Sequence, residues 1–252
     1  MSKFFTLFFR EVAAYFRSPL AYVVLFCYLL LTGFNFHFGI SALNMTVTRT
    51  PVVEAFFNTV LFWFPFVLVF PLITMRLFAE EYKMGTIETL MTAPVRDGQV
   101  LLSKYFAALF FYLVLWLPSL LYFVVFQWQT RVAAAPATGP YLGAYLMLLL
   151  IGMFYLAIGC LASALSKNQI VAAILSFAAI SLMFFFGLVS YLMPNVGPAL
   201  RDITSYLSAI EHMAEFSRGI IDTRAIVWYL SMTLFTLYLT FQVFQSRKWR
   251  AS

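Results

Sequence analysis

An all-α integral membrane protein with six transmembrane helices and both ends in the cytoplasm is the fold class this sequence predicts, and three observations predict it. First, 63% of the 252 residues are hydrophobic, 30 are Phe and only 10% are charged, whereas a soluble domain carries about 25% charged residues. So little polar surface cannot cover the chain in water, and lipid is its natural solvent. Second, six stretches hold no Asp, Glu, Lys or Arg: 18–48, 55–75, 105–130, 132–166, 168–200 and 225–246. Third, the basic residues divide unevenly between the two sides that such spans define.

A spanning helix needs roughly 20 apolar residues to cross about 30 Å of hydrocarbon. Each charge-free stretch holds one such helix, which puts the spans at 20–40, 56–76, 105–126, 141–165, 169–192 and 226–245. Pro65, Pro71 and Pro118 fall inside them, as bilayer helices tolerate by borrowing hydrogen bonds from neighbours. With the N-terminus inside, eleven of the 16 basic residues are cytoplasmic, among them Lys3, Arg10, Arg17, Arg76, Lys83 and Lys104, while Arg49, Arg131, Arg201, Arg218 and Arg224 lie outside. An excess of Lys and Arg marks the cytoplasmic side. The basic balance therefore reports a membrane face and not a nucleic-acid surface. No linker or repeat interrupts the chain, so residues 1–252 read as one polytopic domain.

Three segments are not spans. In residues 2–18, Lys3, Arg10 and Arg17 recur every seven positions and so share a helical face, with Phe5, Phe8, Phe9, Val12 and Phe16 largely opposite. A basic stripe opposite aromatics describes a helix lying flat in the headgroup layer, open to a cytoplasmic partner. The same run, broken by Arg10 and Glu11, is too short for a cleavable leader.

The second segment is the loop 77–104. Gly85 can end the helix that leaves the second span, Thr86 can cap a new one with Glu88 in its first turn, and Pro94 stops it. A helix of about eight residues, ~12 Å long, results. Ile87, Leu90 and Met91 form an apolar face in a loop otherwise rich in charge, including Glu80 and Glu81. A helix this short has little reason to fold alone. Docking on a partner and a cap packed on the chain's own helix ends are the two readings.

The third is the stretch 193–224. Ser208 can cap a short helix ending before Gly219, with Ala209, Met213 and Phe216 on one face. Glu211, His212 and Glu215 lack the spacing of a zinc site and read as solvated helix charges. His37, in the first span, reads as a hydrogen-bonded packing residue. Cys27 and Cys160 sit in apolar runs as small hydrophobes. Gly159 with Ser163, and Ala172 with Ser176, are small residues four apart on the fourth and fifth spans, permitting close helix approach either within one chain or between two.

The spans contain no carboxylate of the kind a gradient-driven carrier buries, and no filter-like or charge-ring pattern suggests a channel. Catalytic constellations and a phosphate-binding G-x-x-x-x-G-K-[ST] run are missing too, so the chain reads as no enzyme and as holding no cofactor or metal. If it moves something uphill, energy must come from a partner at the cytoplasmic face.

The run from Arg76 to Val95, RLFAEEYKMGTIETLMTAPV, resembles the coupling segment of type-2 ABC exporter permeases. Ser208 to Asp222, SAIEHMAEFSRGIID, resembles the stretch before their last span, and Arg10 to Tyr22, with Ser18-Pro19, is similar to the gliding-motility branch. The resemblance covers nearly the whole chain. It implies a permease subunit of an exporter in the bacterial inner membrane, paired with a second permease copy or a homologue and bound to separate ABC ATPase subunits that hold ATP and Mg. It further implies that residues 86–93 sit in a groove on the ATPase, with Glu80, Glu81, Gly85, Thr86, Ile87, Glu88, Leu90, Met91 and Pro94 forming the coupling element. By the same resemblance the 2–18 helix flanks that contact, 193–224 forms an outward helical hairpin acting as a gate, and the fifth span lies near the two-fold axis. An ATP-coupled subunit that drives surface or periplasmic machinery, with a periplasmic-domain partner, is the alternative; an intramembrane enzyme is a more distant one.

Overall fold

The computed structural model describes residues 3–45, 51–86, 95–130, 138–192 and 198–251. These residues are helical nearly throughout, with no strand among them. The helices are α1 (Lys3–Arg17), α2 (Pro19–Met45), α3 (Val52–Phe57), α4 (Val60–Thr74), α5 (Ala79–Met84), α6 (Asp97–Thr130), α7 (Thr138–Leu165), α8 (Gln169–Leu192), α9 (Pro198–Leu207), α10 (Ala209–Ser217) and α11 (Thr223–Ala251). Six helical stretches are long and apolar enough to cross a bilayer: Pro19–Leu43, Leu61–Met84, Asp97–Phe126, Gly139–Leu165, Gln169–Val189 and Thr223–Ser246. The charge-free intervals thus located all six.

Two span limits differ from expectation. The second span does not run unbroken from 56, because Thr59 takes extended backbone (φ −80°, ψ 139°) between α3 and α4. The break is stabilised locally and from afar: Thr59 Oγ1 donates to the Ala55 carbonyl at 2.6 Å, and Asn35 of α2 donates to the Phe56 carbonyl at 2.9 Å. A backbone carbonyl freed in an apolar interior is costly unless paired, and Asn35 supplies the partner. The third span starts at Asp97 and not near 105; α6 has 34 residues, about 51 Å. That exceeds the hydrocarbon thickness of about 30 Å, so the first turns of α6 rise beyond it and meet α1.

α7 is the central helix, packed against α4, α6, α8, α10 and α11. Close packing needs small residues where helices touch. A Cβ at Gly152 would strike the Tyr112 ring, and one at Gly159 would strike the Thr74 side chain. Around α7 lies an aromatic core in which Phe56, Phe57, Phe62, Phe66 and Phe70 meet Tyr112 and Trp116. α2 and α8 are peripheral, each leaving large apolar side chains such as Phe26, Phe34, Ile174 and Phe185 exposed.

α1 does not simply lie on lipid. Phe4 and Phe8 contact Phe106 and Phe110 of α6 edge-on, at 6.3 and 6.2 Å between centroids, and Tyr15 stacks on Phe111 at 5.0 Å. Phe5 and Phe9 stay about half exposed, on the face left for lipid. Since α4 leads from α3 to α5, those two helices mark opposite ends of the molecule. α10 belongs to the α3 end, where Arg218 pairs with Glu54 at 2.7 Å.

Candidate functional site

At the α1–α5 end, carboxylates from two helices converge on one lysine. Lys104, about two turns into α6, is 97% buried as a side chain; its Nζ lies 2.8 Å from Glu81 Oε1 of α5 and 3.1 Å from Glu11 Oε2 of α1. Arg10 Nη2 adds a 2.8 Å contact to Glu11 Oε1 and stands 3.9 Å from Glu81 Oε1. The ammonium also sits 5.7 Å from the centre of the Phe78 ring, within cation–π range. Burial pushes the Glu11 carboxyl upward, yet Lys104 and Arg10 together hold it below its ordinary value. The Glu11 carboxyl is therefore ionised at neutral pH.

The segment that carries Glu81 is fixed from a second side. Ser163 Oγ of α7 accepts from the backbone N–H groups of Phe78 (3.0 Å) and Ala79 (3.1 Å) and donates to the Met75 carbonyl (3.3 Å). Each of these backbone groups lies where the helix is interrupted between α4 and α5, so the one hydroxyl satisfies the polar groups that the interruption frees. Tyr15 Oη donates to the Ile73 carbonyl at 2.8 Å, and Arg76 Nη1 to Ser18 Oγ at 2.6 Å. α5 then ends at Gly85, whose φ of +71° is left-handed. That is glycine's region. The turn expected at Gly85 is present, and everything before it is held by α1, α6 and α7.

A cleft of ≈ 810 Å³ opens beside this cluster, between α1, the start of α2 and the end of α4. Glu80 and Thr86 line it, as do Arg10 and Arg17, while Lys3 stands apart on the exposed side of α1. Ile87, Glu88, Leu90, Met91 and Pro94 lie outside the described residues. Gly159 and Ser163 face the second span of the same chain. Ala172 and Ser176 are buried on α8, which packs on α4, α7 and α9. No metal-binding group of His, Cys, Asp and Glu occurs among the described residues.

Away from the cluster, Ser208 caps α10 as expected, its Oγ accepting from Glu211 N–H at 3.2 Å, and Ala209, Met213 and Phe216 are buried together. His212 corrects the reading of solvated charges. It is buried, 3.5 Å from Tyr229 Oη, and burial holds its imidazole below the usual value although Glu211 and Asp222 favour the charged form. The turn that aims 212 at α11 follows from the buried face of α10 and was not visible from charge alone. His37 also differs: its side chain is exposed on α2 and not packed between helices.

The sequence reading passed over Lys104 and Glu11 as site residues. Glu11 and Lys104 are 93 positions apart, and no local pattern joins them; the only local signal was a Glu inside an otherwise basic and aromatic helix.

Comparison with known families adds the class. The family model described as ABC-2 family transporter protein matches residues 32–210, a range that includes Glu81, Ser163 and Lys104. A search of curated proteins finds no match. With most of the chain matched and six helices able to span a bilayer, the chain belongs to the ABC-2 transporter family, as a multi-pass membrane permease component of a transport system.

Proposed function

We propose that the chain is the permease subunit of an ATP-driven exporter of the inner membrane, coupled to a separate ABC ATPase that holds ATP and Mg. The observation that carries this reading is the Lys104 cluster, which ties α1 and α6 to α5 at Glu81, one helical turn before Gly85. Force applied to residues 86–93 by a partner would pass through that turn into three helices at once. On this reading α1 is the interfacial helix, 86–93 the coupling helix, and α9 with α10 the outward hairpin. On the same reading both termini are cytoplasmic, and the opening Arg10–Tyr22 supports the gliding-motility branch. The exposed apolar face of α8 is the surface offered to a second permease copy.

The test is co-purification with the partner ABC ATPase, with export measured at matched protein levels. Burying Leu90 in the partner's groove is worth roughly 1.5–3 kcal/mol. Leu90→Asp should therefore weaken the complex at least ~10-fold. Glu88→Ala removes an exposed pairing worth about 0–1 kcal/mol, so it should keep the complex and uncouple hydrolysis from export. Normal binding and export by Leu90→Asp would show that 86–93 is a cap on the chain's own helices.

A further inference from the structure

The cleft beside the Lys104 cluster has a composition that neither docking nor coupling uses. Two of its walls change from apolar to cationic at the same level. Along α4 the lining runs from Leu72 and Ile73 to Arg76; along α2 and back into α1 it runs from Val24 and Leu20 to Arg17. Each change takes only one to two helical turns, about 6–10 Å. This is the order in which a phospholipid presents its own chemistry, from acyl chain to phosphate.

The charges are placed to match. Lys104 and Arg10 are engaged by Glu11 and Glu81. Arg17 and Arg76 form no ion pair among the described residues, and the Nε of Arg76 is buried without a partner. The Arg76–Ser18 hydrogen bond of 2.6 Å draws that guanidinium to the corner between α1 and α2, next to Arg17. Glu80, on α5, is the one lining carboxylate outside the cluster. Leu72 is 38% exposed, so the apolar wall opens toward the lipid side. Arginine is the side chain whose planar fork suits phosphate, and basic pockets between spans bind anionic headgroups.

We infer that this cleft binds one anionic phospholipid from the leaflet in which α1 lies, its phosphate held by Arg17 and Arg76 and its acyl chain along Leu20, Val24 and Leu72. The lipid thereby becomes part of the corner that seats α1 against the second span. The site requires no ATPase, so its failure and the failure of the exporter reading are separable.

The experiment uses the full chain in mixed micelles holding equal phosphatidylglycerol and phosphatidylcholine, with retained lipid counted by native mass spectrometry. The wild type should retain one phosphatidylglycerol, at least tenfold in preference to phosphatidylcholine. Arg17→Gln/Arg76→Gln should lose that preference to within twofold. Lys83→Gln/Lys167→Gln, an equal loss of charge outside the cleft, should retain it. Ala14→Trp should also release the lipid by filling the cleft from its exposed rim with both arginines in place. Millimolar inorganic phosphate should not displace the lipid, whereas displacement would assign the site to free phosphate. Absence of a preference in the wild type, as when the chain's own 87–94 segment fills the cleft, or its persistence in both Arg17→Gln/Arg76→Gln and Ala14→Trp, would overturn the inference.

Discussion

Lys104 lies where 3% of its side chain is exposed, its Nζ held between two carboxylates. A buried ion pair is weak evidence of net stabilisation, but removing one partner strands the other. Lys104→Met should destabilise the detergent-solubilised protein by about 3 kcal/mol, the lower end of the range for a broken buried pair, because Glu11 and Glu81 keep 13% and 18% exposure. Thermal unfolding checks this, and Glu11→Gln/Glu81→Gln in the Lys104→Met background should recover much of the loss. Acid acts on the same contact. Since the Glu11 carboxyl is held below its ordinary 4.5, its contribution is complete above that value and is lost as the pH falls through the depressed one. Unfolding temperature should therefore drop more steeply below pH 4.5 in the wild type than in Glu11→Gln. Equal slopes would mean that the ion pair contributes nothing.

Elements were legible where a single residue type sets their limits. Gly85 ends α5 in a left-handed conformation, and Ser208 starts α10 by capping, both as local chemistry dictates. The break at Thr59 and the early start of α6 were not legible. One is stabilised by Asn35, 21 residues upstream of the Phe56 carbonyl it bonds, and the other depends on α1 lying against α6. The buried cluster was hidden for the same reason: Glu11 and Lys104 read as ordinary charges, and Glu81 as part of the coupling segment, until folding brings them together. The glycines separate two kinds of constraint. Gly85→Ala adds a Cβ that meets nothing within 4 Å, so its cost is the left-handed backbone alone, roughly 1–2 kcal/mol. Gly159→Ala collides with Thr74 and should cost about 1–3 kcal/mol by overpacking α7 against α4. Thr74→Ala should return part of the second loss and none of the first. Calorimetric or dye-based unfolding of the single and double variants distinguishes the two.

At the scale of the whole molecule, polar chemistry is sorted to two ends. One end carries α1, α5, the Lys104 cluster and the cleft; the other carries α3, α9, α10 and the Arg218–Glu54 pair. Between them, side chains such as Phe57, Phe62 and Trp116 form a core without ionised groups. Such a body can pass a push from one end to the other only by moving helices, and under the proposed function the end that is pushed faces the compartment that holds ATP. Orientation therefore decides whether that end can meet an ATPase. The measurement is labelling of single cysteines by a membrane-impermeant thiol reagent in intact cells, in a background lacking Cys27 and Cys160. Cysteines at Ser2, Gly98 and Ser252 should be protected until the membrane is opened, and cysteines at Thr138 and Asn195 should label at once. Labelling of position 98 from outside would place the Lys104 cluster on the wrong face for an ATPase and contradict the account.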